Sequence, residues 1–407
     1  MRMKVAAIIS EYNPFHLGHK YQVDRLRQEL GEDTAVIAIM SGNFPQRGEA
    51  AICDKTIRAM SAVECGVNLV LELPFPYSMS SAEFFAKSGV RIANAIGVVD
   101  YLVFGSESGD ISELSDIASI MSSSEYSLVL EDLMNDSDYK EYGYPELCEI
   151  ALSKLYGKKL SPELLSPNNI LAIEYIKALS SEGSRITPYT IRRQGAGYND
   201  LINPMADFQS ASAIREEIMQ GNLSALDFVP EKTKEIYLSA IQSGKMPSDM
   251  TKLDTAVISS FRLNSPDNSI DIHDAQGGLY NRLCDMSAEA TSISMLTALA
   301  ETKKYTKARI RRAILNTYFG VTSSDVRSLP AYTQVLAMDS IGRGLLKAIK
   351  KTSDFPVITK PSSYKELGDD VVRQKELSNR VDSVYGLTLK NANSGRFPLT
   401  FTPYVKE

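Results

Sequence analysis

The sequence predicts an α/β fold in which a parallel sheet is followed by a mainly helical C-terminal domain. In the first half of the chain, short apolar segments alternate with amphipathic ones, as in a parallel sheet with right-handed crossovers. A polar turn with two of the three histidines follows the first apolar segment, where α/β folds bind ligands. We expect a sheet domain over residues 1–230, with a helical insertion at about 111–160, and a helical domain over 231–407.

The strands of the predicted sheet are short apolar runs, each bounded by turn residues or a helix signal. We expect them at Lys4–Ile9, Thr34–Met40, Leu69–Leu73, Tyr101–Phe104 and Ile186–Ile191. Helices are expected at Gly18–Glu29, at Asp54–Cys65 with Asp54 as its cap, at Ser81–Ala95, and from Pro167 and from Ser210 onward.

The second half reads mostly as helices. We expect these at Asp254–Phe261, Leu279–Leu299, Thr306–Phe319 and Tyr332–Leu336. Prolines punctuate the segment, and about the last forty residues carry no clear pattern.

Length and composition are those of an ordinary globular protein. The 407 residues are enough for two domains, and 43% are hydrophobic and 23% charged. The first apolar run is too short for a secretion signal, and no later stretch is apolar enough for a membrane span. The four cysteines are scattered, which favours free thiols over a zinc site. We therefore expect a cytoplasmic protein that makes no membrane contact and holds no metal of its own.

The turn after the first strand carries the pattern H-x-G-H, from His16 to His19. Pro14 prevents the strand from continuing its ladder, and Gly18 removes a Cβ where a ligand would approach. Histidines three residues apart share one face of a helical turn, so both can donate to the same phosphate oxygens. We interpret the turn as a polyphosphate site. The alternative is a chance pattern of ordinary surface or core histidines.

Other strands end in polar residues that would share the same crevice. They are Asn43, Arg47, Gly105 to Glu107, Arg192, Arg193, and the helix start Ser210-x-Ser212-x-x-Arg215. Guanidinium and hydroxyl groups stabilise the negative charge that develops in phosphate chemistry. Arg192-Arg193 is equally consistent with a solvated strand end, and Asn168-Asn169 with a helix cap. Lys55 and Arg58 share a helical face that could meet a phosphate or water, and we favour water. His273 lies in a polar stretch expected at the surface.

A basic run follows in the helical half. Its cationic residues are Lys303, Lys304, Lys307, Arg309, Arg311 and Arg312, with no carboxylate among them. A charged helix face is usually only solvated. Here the absence of an interleaved acid favours contact with a phosphate backbone, and on a chain of net charge −6 this indicates RNA.

Together these motifs resemble the H-x-G-H nucleotidyltransferase superfamily related to class I aminoacyl-tRNA synthetases. More narrowly, the chain is similar to the bacterial tRNA(Met) cytidine acetate ligase family. The matching segments, in collinear order, are residues 11–19, 41–49, 71–74, 104–107, 167–171 and 308–312. The resemblance implies a Rossmann-like nucleotidyltransferase domain and an ATP-dependent ligase that activates acetate as acetyl-adenylate. The acetyl group would then pass to the N4 amine of the wobble cytidine of elongator tRNA(Met).

The resemblance also implies site residues. His16 and His19 fall on the catalytic signature. ATP-binding positions would be Ile9, Ser10, Glu11, Tyr12, Asn13, Pro14, Phe15, His16, Leu17, Gly18, His19, Lys20, Tyr21, Gln22, Gly105, Asn168 or Asn169, Arg192 and Arg193. ATP would act as substrate, with Mg²⁺ bound to it. The chain departs from the family pattern at Tyr198-Asn199-Asp200, where a histidine is expected in the middle position.

Two other functions remain open from the sequence. A small-molecule adenylyltransferase would use the same crevice without the basic run. A noncatalytic RNA-binding protein would use the run without the chemistry.

Overall fold

The computed structural model describes residues 3–157, 160, 164–193, 208–267 and 271–407. Its strands are β1 (Val5–Ser10), β2 (Ala35–Ser41), β3 (Leu69–Leu73), β4 (Tyr101–Ser106), β5 (Thr187–Arg192), β6 (Thr333–Met338), β7 (Val357–Ile358) and β8 (Tyr404–Val405). Its helices are α1 (Leu17–Leu30), α2 (Lys55–Glu64), α3 (Ala82–Ala95), α4 (Ile111–Met121), α5 (Ser124–Asn135), α6 (Tyr144–Tyr156), α7 (Pro167–Ser181), α8 (Ala211–Met219), α9 (Glu231–Gln242), α10 (Asp254–Leu263), α11 (Leu279–Ser287), α12 (Ile293–Ala300), α13 (Lys307–Phe319), α14 (Ser323–Arg327), α15 (Ser340–Thr352), α16 (Asp369–Tyr385) and α17 (Phe397–Thr400).

One mixed sheet organises the molecule, in the order β5-β4-β1-β2-β3-β6-β7, with β8 paired to β6. The first five strands run parallel, β1 lying between β2 and β4. Strand β6 is antiparallel to β3. The predicted α/β class is therefore confirmed. Because parallel strands end at the same edge, the turns after β1, β2 and β4 meet there, together with Arg192 and Arg193 at the end of β5.

Strands β1, β2 and β3, in the middle of the sheet, are buried on both faces, which explains their nearly continuous apolar sequences. Alternate residues of β1 divide between two cores: Ala7 and Ile9 pack with α3 and α7, while Ala6 and Ile8 pack with α1 and α2. A side chain at residue 89 of α3 would lie 2.6 Å from Cδ1 of Ile9, so glycine permits close contact between helix and sheet.

Two secondary-structure predictions in the second half are wrong. The segment expected as a helix at Tyr332–Leu336 is strand β6, because the free edge of β3 offers a ladder that outweighs the local pattern. The helix expected at Leu279–Leu299 is two helices, α11 and α12, since the chain turns between Ala288 and Ser292.

The second half of the chain contributes to two parts of the molecule. Helices α10 to α13 form a separate core, whereas β6, β7 and β8 complete the sheet. Helix α16 packs through Leu377, Val381 and Tyr385 against Phe44 and Phe75 of the first half. The division at residue 230 stays a prediction. Among the described helices, none combines the length and the apolar character needed to cross a bilayer.

Candidate active site

The first turn of α1 positions both histidines of the H-x-G-H pattern. His16 is the N-cap, with an extended backbone, and its Nδ1 accepts a 3.0 Å hydrogen bond from the Gly18 amide. The His16 amide donates in turn to Nδ1 of His19 at 3.3 Å. A Cβ at residue 18 would lie 2.8 Å from Cε1 of His16, so only glycine leaves this ring undisturbed.

Both imidazoles are neutral and present Nε2 as a donor. Because each Nδ1 accepts a hydrogen bond, the proton resides on Nε2. Burial, with the positive charges of Arg193 and Arg215, lowers the pKa of His16 to about 3. Burial and the neighbouring His16 lower the pKa of His19 well below its ordinary value. With ring centroids 3.9 Å apart, the pair offers adjacent N–H donors that carry no charge.

Two arginines, the buried Arg58 and the half-buried Arg215, hold the elbow between β1 and α1. Arg58 donates to the carbonyls of Glu11 and Gly42, each at 2.6 Å. Arg215 donates to the Asn13 carbonyl at 2.6 Å. The expectation that Arg58 meets water is therefore wrong: it fixes the turns after β1 and β2 relative to each other.

Lys55 was expected at the same water-facing surface and is also buried. Its Nζ pairs with Glu72 of β3 and with Asp382 of α16. Burial opposes the lysine charge, but Asp382 and Glu72 outweigh it and raise the pKa of Lys55 above its ordinary value. The two carboxylates come from distant segments, which is why the local sequence indicated solvent.

A cavity of about 860 Å³ lies in front of the histidines. Predicted ATP-binding residues that line it are Ile9, Ser10, Glu11, Tyr12, Asn13, His16, Gly18, His19, Tyr21, Gln22, Gly105, Asn168, Arg192 and Arg193. Pro14, Phe15, Leu17, Lys20 and Asn169, from the same prediction, do not line it. Phe85, Phe104 and Tyr175 add an apolar wall that the sequence did not indicate.

Glu107 organises the β4 side of the cavity. Its carboxylate accepts hydrogen bonds from the Asn168 side chain at 2.6 Å and the Ser166 hydroxyl at 2.7 Å. Its amide donates to Oδ1 of Asn169 at 2.9 Å. Asn169 therefore stabilises the turn after β4 without lining the cavity, whereas Asn168 lines it. Arg193 approaches the same carboxylate, with Nε at 4.0 Å from Oε1.

The opposite wall comes from α13 and the turn before α11. Arg312 is buried and donates to both carboxylate oxygens of Asp274, at 2.7 and 3.2 Å, and to the Gln46 carbonyl at 3.3 Å. Arg309 donates to the carbonyls of Asp274 and Gln276. These contacts join the two halves of the chain across the cavity.

The sequence is similar to known proteins along nearly the whole chain. A family model described as HIGH Nucleotidyl Transferase matches residues 3–397. The tRNA(Met) cytidine acetate ligase of Thermoanaerobacter sp. (strain X514) is 37% identical over 401 residues, which cover 96% of this chain and 97% of that protein. The enzyme of the same name from Acetivibrio thermocellus is 37% identical over 405 residues, 96% of either chain. The chain belongs to the tRNA(Met) cytidine acetate ligase family of HIGH nucleotidyl transferases.

Solved structures of a relative in this family share the whole fold. Thermotoga maritima TmcAL bound with alpha-thio ATP superposes with a TM-score of 0.90 and 31% identity, covering 100% of both chains. The apo form of that protein gives 0.92 and 31% identity over 99% of both.

The basic run divides into two groups within this family fold. Lys304, Arg309 and Arg312 line the cavity, whereas Lys303, Lys307 and Arg311 do not. Acids from outside the run pair with its members: Glu301 lies 3.4 Å from Lys307, and Glu49 lies 3.7 Å from Arg311. The sequence shows no carboxylate within the run. In the structure, however, Glu301, which directly precedes the run, pairs with it, and so do Glu49 and Asp274 from more distant segments.

Other residues also differ from the sequence-based view. His273, expected at the surface, is buried and its ring packs on the edge of Phe84. Asp274 and Tyr144 line the cavity, although no sequence pattern indicated either. Asn199, the departure from the family pattern, lies outside the described residues. Within the described ranges, no group of three His, Cys, Asp or Glu side chains could hold a metal ion.

Proposed function

We propose that this protein is an ATP-dependent ligase that acetylates the N4 amine of the wobble cytidine of elongator tRNA(Met). The observation that carries the proposal is the neutral imidazole pair, whose Nε2 donors share a cavity with Arg192, Arg193 and Asn168. A full-length relative is named for this reaction, and a structural neighbour binds alpha-thio ATP. ATP would enter as its Mg²⁺ complex, as part of the substrate. We place the activity in the cytoplasm, where its substrates are found.

The reaction would proceed in two balanced steps. An acetate oxygen attacks the α-phosphorus of ATP, the bond to the β-phosphate oxygen breaks, and acetyl-adenylate and pyrophosphate form. The N4 amine then attacks the acetyl carbonyl carbon, AMP leaves, and the amine gives up one proton. Nε2–H groups of His16 and His19 would donate to phosphate oxygens, and the arginines would offset the repulsion between the two anions.

The two halves of the chain would bind different substrates. We propose that residues 1–230 bind ATP and that residues 231–407 contribute the tRNA-binding surface. Its basic residues are Lys303, Lys304, Lys307, Arg309, Arg311 and Arg312. Positive charge at this position, beside the cavity entrance, would contact phosphates while an unpaired base enters.

Labelled acetate, ATP and total tRNA test the proposal. We expect label in tRNA only when ATP is present, and acetate-dependent exchange of pyrophosphate into ATP without tRNA. Transfer of AMP to a small molecule, with no label in tRNA, would favour an adenylyltransferase. Binding of tRNA without pyrophosphate release would favour a noncatalytic RNA-binding protein.

A further inference from the structure

Tyr144 is an exposed aromatic residue at the entrance of the catalytic cavity. It is the first residue of α6, the residue is 58% exposed, and it lines the cavity that contains the histidines. In the part of the chain that the structure describes, no other aromatic ring pairs with it. Tyrosine is enriched at binding surfaces, because its ring offers apolar area while its hydroxyl stays in contact with water.

The backbone around Tyr144 is fixed. The preceding residue, Gly143, is buried, and its amide donates to the Glu146 carboxylate at 2.7 Å. A Cβ at residue 143 would lie 2.9 Å from the Lys303 carbonyl oxygen, so glycine allows α6 to touch the basic run. The backbone that carries Tyr144 is therefore held beside that run rather than on a free loop.

Positive charge lines the same cavity as the ring. Lys304 and Arg309 line the same cavity, and both pack over the ring of the buried Tyr305, at 5.5 and 5.3 Å from its centroid. An exposed aromatic ring beside cations is the arrangement that binds single-stranded nucleic acid, in which bases stack and phosphates pair with the cations.

We propose that Tyr144 is a stacking platform for the unpaired base that enters the cavity from RNA. The inference rests on the proposed function and adds to it the residue that receives the base. ATP also carries a base, but the predicted ATP-binding residues Gly105, Asn168 and Arg193 belong to the β4 and β5 edge of the cavity. Tyr144 instead joins the basic run at the entrance.

An anticodon stem-loop with the fluorescent base pyrrolocytosine at the wobble position tests this inference. We expect stacking to quench the fluorescence with the wild type and with Tyr144→Phe, which keeps the ring. With Tyr144→Ala the quench should be lost, and the KM for tRNA should rise about 5-fold or more. Tyr142→Ala removes a ring of similar exposure that does not line this cavity, and it should behave as wild type.

Thermal unfolding followed by circular dichroism serves as the folding control, because the exposed ring contributes little to packing and Tyr144→Ala should unfold at the same temperature as wild type. The inference is overturned if Tyr144→Ala keeps both the quench and the KM for tRNA. It is equally overturned if the KM for ATP rises instead, since the ring would then serve adenine. Failure of the wild type to transfer acetate to tRNA would count against the proposed function, a result separate from these.

Discussion

At the scale of single residues, His16 has a structural role and, in the proposed function, a chemical one. Its Nδ1 caps α1 through the Gly18 amide, which leaves Nε2 for the substrate. His16→Asn preserves an N-cap acceptor but removes the second donor. We expect acetate-dependent pyrophosphate exchange to fall by about 100-fold or more, with nearly unchanged thermal unfolding.

His16→Ala and His19→Ala are the companions of this variant, and both should abolish acetyl-adenylate formation. The alanine at residue 16 should also cost about 1 kcal/mol of stability, because it removes the cap. If His16→Asn keeps normal exchange, the imidazole acts only as a cap and the proposed donor role is wrong.

The buried histidines also predict how stability depends on pH. The pKa of His16 is lowered to about 3 in the folded chain. Below its ordinary pKa of about 6.5, the unfolded chain therefore binds a proton that the folded chain does not, so stability falls as pH falls. Urea unfolding of wild type and His16→Asn at about pH 7.5 and about pH 5 checks this. The wild type should lose more stability between the two values, and equal losses would contradict the argument.

At the scale of elements, the sequence pattern predicted a helix or strand correctly where its structure depends mainly on neighbouring residues. Leu69–Leu73 and the Asp54 cap were predicted correctly, because apolar runs and capping residues act over a few neighbours. Strand β6 was missed, since its ladder partner is β3, more than two hundred residues earlier in the chain. A short apolar run does not distinguish a helix from a strand until its partner is known.

In helix α13 and the segment before it, some basic residues support the fold and others do not, so the effect of charge on tRNA binding can be tested without disturbing the structure. Arg309 and Arg312 hold the turn at Asp274, so reversing them would disturb the fold as well as any RNA contact. The triple variant Lys303→Gln, Lys307→Gln and Arg311→Gln changes residues that do not line the cavity. We expect weaker tRNA binding and a smaller salt slope, by about 0.9 for each lost phosphate contact.

Pyrophosphate exchange should be unchanged in the triple variant, because adenylate formation needs no RNA. Lys232→Gln, on α9 with a side chain 63% exposed, controls for the loss of a surface charge and should bind tRNA normally. An unchanged salt slope in the triple variant would remove the basic run from the proposed tRNA surface.

At the scale of the whole molecule, the cavity is assembled from both halves of the chain. The sequence predicted that the histidines, Asn168 or Asn169, and the arginines at the end of β5 share one crevice, because each lies at a recognisable strand end or helix start, and all but Asn169 line the cavity. It did not locate Asp274, Tyr144 or the partners of Lys55, since these depend on contacts between distant segments. Local patterns therefore predicted the polar residues of the cavity, whereas the residues that complete its lining and support it could not be predicted from them.

The buried pairs of Lys55 show how strongly the halves depend on each other. Lys55→Met would leave Glu72 and Asp382 buried without their cation, so we expect a loss of about 3–5 kcal/mol in the free energy of unfolding. Denaturant titration measures the loss. Lys234→Met, which breaks an exposed pair with Asp227, should leave stability unchanged. Equal stability of the two variants would show that the buried network contributes nothing.

The same dependence predicts the behaviour of the first half alone. A fragment of residues 1–230 lacks β6, so the edge of β3 loses its ladder, and it lacks Asp382, so Lys55 keeps only Glu72. An apolar strand edge left open favours aggregation. We therefore expect the fragment to be insoluble or to unfold without a cooperative transition, as followed by circular dichroism during heating. A cooperative, ATP-binding fragment would instead show that the sheet is stable without the strands and helices of the second half.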